Sequence, residues 1–154
     1  MADTIQTRLN EAVNAVEQAY YRLILLVGES GSGKTKAIRS FADQAKIEII
    51  NLNLALSESL LGLTKRQREI QLPILLDDLI ADRHSPVIFD NIELLFDVTL
   101  QNDPLRVLQR LSRNHLIIAT WNGTFLGEKL NYAVPGHNEF REYDASDIYI
   151  ITIK

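Results

Sequence analysis

Apolar residues recur every three or four positions near the start of the chain, at Ile5, Leu9, Ala12, Val13, Val16 and Tyr20, with polar residues between them. That period predicts an amphipathic helix laid on a sheet. The stretch "YRLILLVG", Tyr21 to Gly28, breaks the period: a short apolar run closed by glycine suits a central parallel strand covered on both faces. Helical spacing returns at Ala37, Ile38, Phe41, Ala42 and Ala45, and "IEIIN", Ile47 to Asn51, reads as a second strand. From Ser57 to Asp82 the pattern is mainly helical, with Thr64 and Gln67 offering a capping box and Pro73 starting or kinking a helix.

The third predicted strand is "PVIFD", Pro86 to Asp90. In "NDPLRVLQRLSRN" Asp103 can cap a helix, Pro104 fits its first position, and Leu105, Leu108 and Leu111 point inward. A fourth strand follows at "HLIIAT", His115 to Thr120. Residues 121–146 read as an irregular segment, in which Phe125 to Tyr132 fits a small hairpin turning at Gly127 and Glu128. Such length without a helix tends to be functional or mobile. "DIYIITI" is a fifth strand. Strands alternating with helices predict a three-layer α/β sandwich on a five-stranded, mostly parallel sheet.

Composition narrows the setting. With 154 residues, 46% hydrophobic and 23% charged, the expectation is one soluble domain spanning 1–154. A net charge of −4 argues against a dominant grip on a nucleic-acid backbone. There is no cysteine, hence no disulfide framework and no thiolate metal site. Without a signal-like or membrane-length apolar run, the expected compartment is the cytoplasm, with no membrane contact.

The chemistry begins at "GESGSGKT", which fits G-x-x-x-x-G-K-S/T between a predicted strand and a predicted helix, the context the motif requires. Gly28, Gly31 and Gly33 let the loop turn backbone N–H groups toward phosphate oxygens, with Glu29, Ser30 and Ser32 between them. The helix that starts at Lys34, Thr35 and Lys36 adds the positive end of its dipole. Lys34 is expected to reach the β and γ phosphates of ATP, and the Thr35 hydroxyl to ligate Mg2+. Glu29 is expected to point to solvent or to a neighbouring subunit, because a carboxylate turned inward would repel phosphate.

Asp90, at the end of "VIFD", is the second expected magnesium ligand, since the C-terminal ends of parallel strands converge on a ligand crevice. An intervening strand between the loop and "VIFD" marks the P-loop NTPases that insert an additional strand, the branch of motors and AAA+ ATPases. There the water-activating glutamate follows the aspartate or ends the neighbouring strand; here those places hold Asn91, and Asn51 or Asn53. An amide orients water but takes no proton, and loss of general-base help lowers a rate by ~10²- to 10⁴-fold. Glu93 is the remaining carboxylate: a helical turn starting at Asn91 swings it toward the γ-phosphate, or it is a surface residue of "NIELLF".

Thr120 and Asn122 in "IIATWN" are candidates for a polar sensor of the γ-phosphate, against the alternative of ordinary turn residues. For transition-state charge the chain offers Arg106, Arg110, Arg113 and Arg141. An arginine supplied across an interface is worth ~10³- to 10⁵-fold. Arg141 and Arg113 are the candidates by position, against solvated surface arginines. "TKRQRE", with Lys65, Arg66 and Arg68, is a solvated helix face. His84, His115 and His137 lack ligand spacing, and Trp121 is either a stacking partner or packing.

Taken in order, "LLVGESGSGKT", "INLNLALSESLL", "VIFDNIELLF", "DPLRVLQRLSRN", "ATWNG" and "YAVPGHNEF" resemble the BrxF family, small P-loop NTPase proteins of bacteriophage exclusion (BREX) defence systems. The resemblance runs over nearly the full length. It implies a nucleotide-binding component of an anti-phage system working beside a larger ATPase, a DNA methyltransferase and an alkaline-phosphatase-like protein.

The resulting expectation is a Mg-ATP-binding protein, a weak or partner-dependent ATPase acting as a nucleotide-dependent switch or assembly factor, with no room for the helical lid of AAA+ proteins. One alternative is a self-assembling AAA+-like ATPase, a homo-oligomer with its arginine supplied in trans. A lesser one is a small-molecule kinase, for which residues 121–146 supply only Arg141. No N-K-x-D guanine-reading motif occurs.

Overall fold

The computed structural model describes residues 2–97, 100, 102–132, 141–145 and 147–153. His137 and residues 133–140 of "YAVPGHNEF" lie outside the described residues.

Five strands form a parallel sheet in the order β2 (Ile49–Asn51), β3 (Val87–Asp90), β4 (Ile117–Leu126), β1 (Leu23–Gly28) and β7 (Tyr149–Thr152). The continuous apolar runs are explained by burial on both faces. Along β1, Leu23, Leu25 and Val27 join one core cluster, while Ile24 and Leu26 join the other. Helices α1 (Ala2–Val16) and α2 (Lys34–Ala45) cover the Ile24 side with Leu9, Ala12, Val16, Ile38 and Phe41. Helices α3 (Leu52–Leu60), α4 (Lys65–Ile80) and α5 (Pro104–Leu111) cover the opposite face through leucines such as Leu56, Leu76 and Leu108. The architecture is therefore α/β, with a mostly parallel sheet between two helical layers.

Local chemistry sets several element ends where the sequence placed them. Thr64 and Gln67 form the reciprocal capping box of α4, and Asp103 accepts from the Arg106 N–H ahead of Pro104 at the start of α5. Among the described residues no helix is long and apolar enough to cross a membrane.

Four expectations change. The helical stretch expected from Ser57 begins earlier, at Leu52, because the Asn51 side chain accepts from the Leu54 N–H and starts α3 directly after β2. Pro73 sits inside α4 and so does not start the helix, whose buried stripe Leu72, Leu76 and Ile80 runs past it. Tyr20 follows the end of α1 and is exposed. The largest correction concerns residues 121–146, which are not an irregular segment where described. β4 continues to Leu126, turns at Gly127 and Glu128 with φ of 56° and 65°, and returns as β5 (Lys129–Tyr132). Two left-handed turn residues are what a two-residue hairpin needs. β6 (Arg141–Asp144) adds a third antiparallel strand, making seven among the described residues. An aromatic cluster holds this extension: Tyr132 stacks on Phe96 at 3.5 Å, and both meet Trp121 edge-on. These contacts bring distant residues together, so short-range periodicity did not reveal them.

Register brings the strand ends level at one edge of the sheet. Leu26 lies opposite Thr120, Gly28 opposite Asn122, and Asn51 opposite Asp90. The glycine-rich loop leaves the sheet at that edge.

Candidate nucleotide site

At the exit of β1 a Cβ on Gly28 would collide with the Ser32 hydroxyl and lie 3.0 Å from the Ile153 carbonyl oxygen, so a side chain here would have to displace its neighbours. The loop folds over itself with the Ser32 N–H donating to the Glu29 carbonyl at 3.1 Å. It enters α2 at Gly33, which offers no side-chain cap, leaving the first N–H groups of the helix for another acceptor. Lys34, only 6% exposed, donates from Nζ to the carbonyls of Gly28 (2.9 Å) and Glu29 (2.8 Å). Burial pushes its ammonium below the ordinary value, against the pull of Glu93 and Asp90. The charge thus lies where the loop would receive an anion.

Asp90 faces the loop from the end of β3 and is 6% exposed. Its Oδ2 accepts from the Thr35 hydroxyl at 3.1 Å, while its Oδ1 accepts from the Thr120 hydroxyl at 2.6 Å and the Asn91 N–H at 3.0 Å. A carboxylate with three such donors is fixed in orientation.

Glu93 begins a 3-10 helix (Glu93–Phe96) whose Leu95 and Phe96 are fully buried. That anchorage turns its side chain into the cleft. Oε1 accepts from the Asn53 amide and Oε2 from the Asn122 amide, each at 3.1 Å. Burial pushes the carboxyl above the ordinary glutamate value; its backbone hydrogen bond, the Asn53 amide and Lys34 pull it back, and Asp90 adds to the rise.

Together these groups line a cleft of about 410 Å³ that includes Ser30, Gly31, Gly33, Lys34, Thr35 and Lys36 on one side and Asp90, Asn91, Glu93, Thr120 and Asn122 on the other. Among the described residues no group of three or more histidines and carboxylates could hold a metal by itself. Thr35 and Asp90 supply a hard hydroxyl and a hard carboxylate with oxygens 3.1 Å apart. Such a pair fits magnesium, which keeps several waters and completes its shell with phosphate oxygens.

Other expected residues lie elsewhere. Glu29 is exposed. Asn51 caps α3 instead of entering the cleft. Trp121 is fully buried, with Nε1 donating to the Asn131 carbonyl at 3.1 Å, so it is packing and not a stacking platform. Arg113 precedes β4 and does not line the cleft, and its guanidinium lies 3.6 Å from the Tyr20 ring centroid. Arg106 and Arg110 pair with Asp103 and Asp77 at the surface. Arg141 pairs along β6 with Tyr132, on the far side of the hairpin from β4, and its charge acts on the Tyr143 phenol, which burial and Asp103 push upward. The clamp made by Asn53 and Asn122 around Glu93 has no signal in the sequence, because its bonds join residues 40 and 29 positions apart.

No family model matches the chain, and no curated protein matches it. Among solved structures, the C. elegans PCH-2 structure is similar with a TM-score of 0.46 and 19% identity, covering 99% of this chain and 41% of that one. A chain of the E. coli MS115-1 HORMA:CdnC:Trip13 complex is similar with a TM-score of 0.45 and 16% identity, covering 99% and 58%. The present chain thus spans 41% to 58% of the length of these neighbours.

Proposed function

We propose that the cleft binds ATP with magnesium, and that the chain is a P-loop NTPase of the additional-strand, AAA+-like type. It hydrolyses ATP slowly, or only with a partner, and serves as a nucleotide-dependent switch or assembly factor. The resemblance to the BrxF family suggests a BREX anti-phage system as its setting, beside the larger ATPase, methyltransferase and alkaline-phosphatase-like protein of that system. The observation that carries the reading is the convergence of Thr35, Thr120 and Asp90 on one hydrogen-bonded centre facing Lys34 and the loop. The order β3, β4, β1, with β4 between the aspartate strand and the loop strand, also supports it.

Each side chain then has a physical role. Lys34 leaves the two loop carbonyls and gives its charge to the β and γ phosphates. Thr35 and Asp90 hold magnesium, which neutralises phosphate charge when bound. Thr120 keeps Asp90 oriented. Glu93 is the carboxylate able to take a proton from the attacking water, and Asn122 holds one of its oxygens.

Among the described residues, no arginine lines the cleft. That observation favours slow hydrolysis by the isolated chain and keeps a second reading, self-assembly with an arginine supplied by another copy. Phosphate release and molecular mass measured together across protein concentration distinguish them. A low rate per chain that does not change with concentration, at monomer mass, supports the first reading. A rate rising steeply with assembly supports the second, and fast release by the monomer contradicts both.

A further inference from the structure

Asn91 stands directly after Asp90 with φ of 55°, in the left-handed region that asparagine tolerates better than most residues with a side chain. Both backbone polar groups of Asn91 are engaged at this turn. Its N–H donates to Asp90 Oδ1 at 3.0 Å, and its carbonyl accepts from the Asn53 N–H at 2.8 Å. Ile92, fully buried, fixes the chain on the core side. Asn53 then reaches past the turn: its side-chain oxygen accepts from the Leu94 N–H at 2.7 Å, and its amide donates to Glu93 Oε1 at 3.1 Å. One residue of α3 therefore binds the segment 91–94 at three points, through its backbone N–H, its carbonyl oxygen and its amide nitrogen.

We propose that Asn91 and Asn53 are positioning residues: the left-handed turn at Asn91, latched by Asn53, delivers Glu93 to the cleft as the proton acceptor for the attacking water. The inference rests on the nucleotide-binding reading of the cleft and deepens it. Asn91 is then not a disabled glutamate. Its conformation carries the chain forward so that the carboxylate three positions after Asp90 serves, with its second oxygen held by Asn122 across the cleft. Each carboxylate oxygen accepts one side-chain amide and the carboxyl also takes a backbone hydrogen bond, which still leaves acceptor capacity for a water.

The test compares Asn91→Gly, Asn91→Ala, Asn53→Ala and Glu93→Gln in the full chain, measuring ATP affinity, phosphate release at saturating Mg-ATP, and amide hydrogen exchange without nucleotide. Glycine keeps the left-handed turn accessible and is expected to hold the rate within about threefold of wild type. Asn91→Ala is expected to lower it about tenfold, because the left-handed turn is strained for alanine. Asn53→Ala is expected to have a similar effect, about tenfold, through lost hydrogen bonds. Glu93→Gln should lower it by ~10²- to 10⁴-fold. All four are expected to bind ATP like wild type, and the N–H groups of Asn53 and Leu94 stay protected in Asn91→Gly while exchanging faster in Asn91→Ala. Equal rates or equal protection in Asn91→Ala and Asn91→Gly overturn the proposal, as does a Glu93→Gln rate matching wild type. A wild-type chain that binds no ATP overturns the reading of the cleft itself, and the proposal with it.

Discussion

From Gly28 to Thr35 one unbroken stretch supplies the loop, its ammonium and its hydroxyl, whereas the facing wall takes Asp90 from the end of β3, Glu93 from the 3-10 helix that follows, and Thr120 and Asn122 from β4, with Asn53 of α3 bonded to Glu93. The loop half depends on local geometry, with Lys34 bonded to carbonyls five and six residues away. The wall half depends on register, since the bond from Asn53 to Glu93 spans 40 residues and that from Asn122 to Glu93 spans 29. On the proposed function, a site divided this way would separate binding, dominated by the loop half, from turnover, governed by the wall half.

The sharpest way to break that division is to exchange one residue in each half. Glu93→Gln is expected to lower kcat by ~10²- to 10⁴-fold with ATP affinity unchanged, read by phosphate release and calorimetry. Next in size, Lys34→Ala is expected to weaken ATP binding about 100-fold, the scale of losing charged hydrogen bonds to phosphate. Equal effects of the two substitutions on affinity would merge the halves.

A smaller effect belongs to acidity. In the proposed role Glu93 would act as base only when ionised, and burial raises its folded-state value, so kcat should fall as pH drops through that raised value. The sign for stability is opposite. With the folded value above the unfolded one, the fold binds the proton more tightly. The contribution of Glu93 to stability is therefore largest below the ordinary glutamate range, declines as pH rises through the raised value, and is level above it. A melting series against pH should show wild type losing ground to Glu93→Gln across that window; parallel curves would remove the burial argument. The smallest effect is expected at Arg113, at the far end of the sheet: Arg113→Ala should leave the dilute rate within about twofold, and its cation–π contact with Tyr20 is worth ~0.5–1 kcal/mol of stability.

The two halves also differ in how far they can be read in the sequence. "GESGSGKT" carries its chemistry in adjacent residues, and the alternation of apolar runs with helical spacing predicts five of the seven strands seen among the described residues, together with the caps at Thr64 and Asp103. β5 was legible as a hairpin arm because Gly127 and Glu128 sit at the turn, but β6 was not, because its four residues alternate too briefly to mark a strand. Asn53 escaped for another reason: the sequence shows an asparagine, and only folding places its amide beside Glu93 and its carbonyl oxygen on Leu94. Asn91 had a local signal that was available, the tolerance of asparagine for a left-handed backbone.

The most direct measurement is a calorimetric titration of ATP into the full chain, with and without magnesium, repeated in Asp90→Asn. The expected result is one ATP per chain, bound about tenfold or more tighter with magnesium, and loss of that gain in Asp90→Asn, which removes one carboxylate oxygen from the Thr35 pair. Absence of ATP binding, or a magnesium gain that survives Asp90→Asn intact, would contradict a cleft in which the loop and the end of β3 hold one Mg-nucleotide between them.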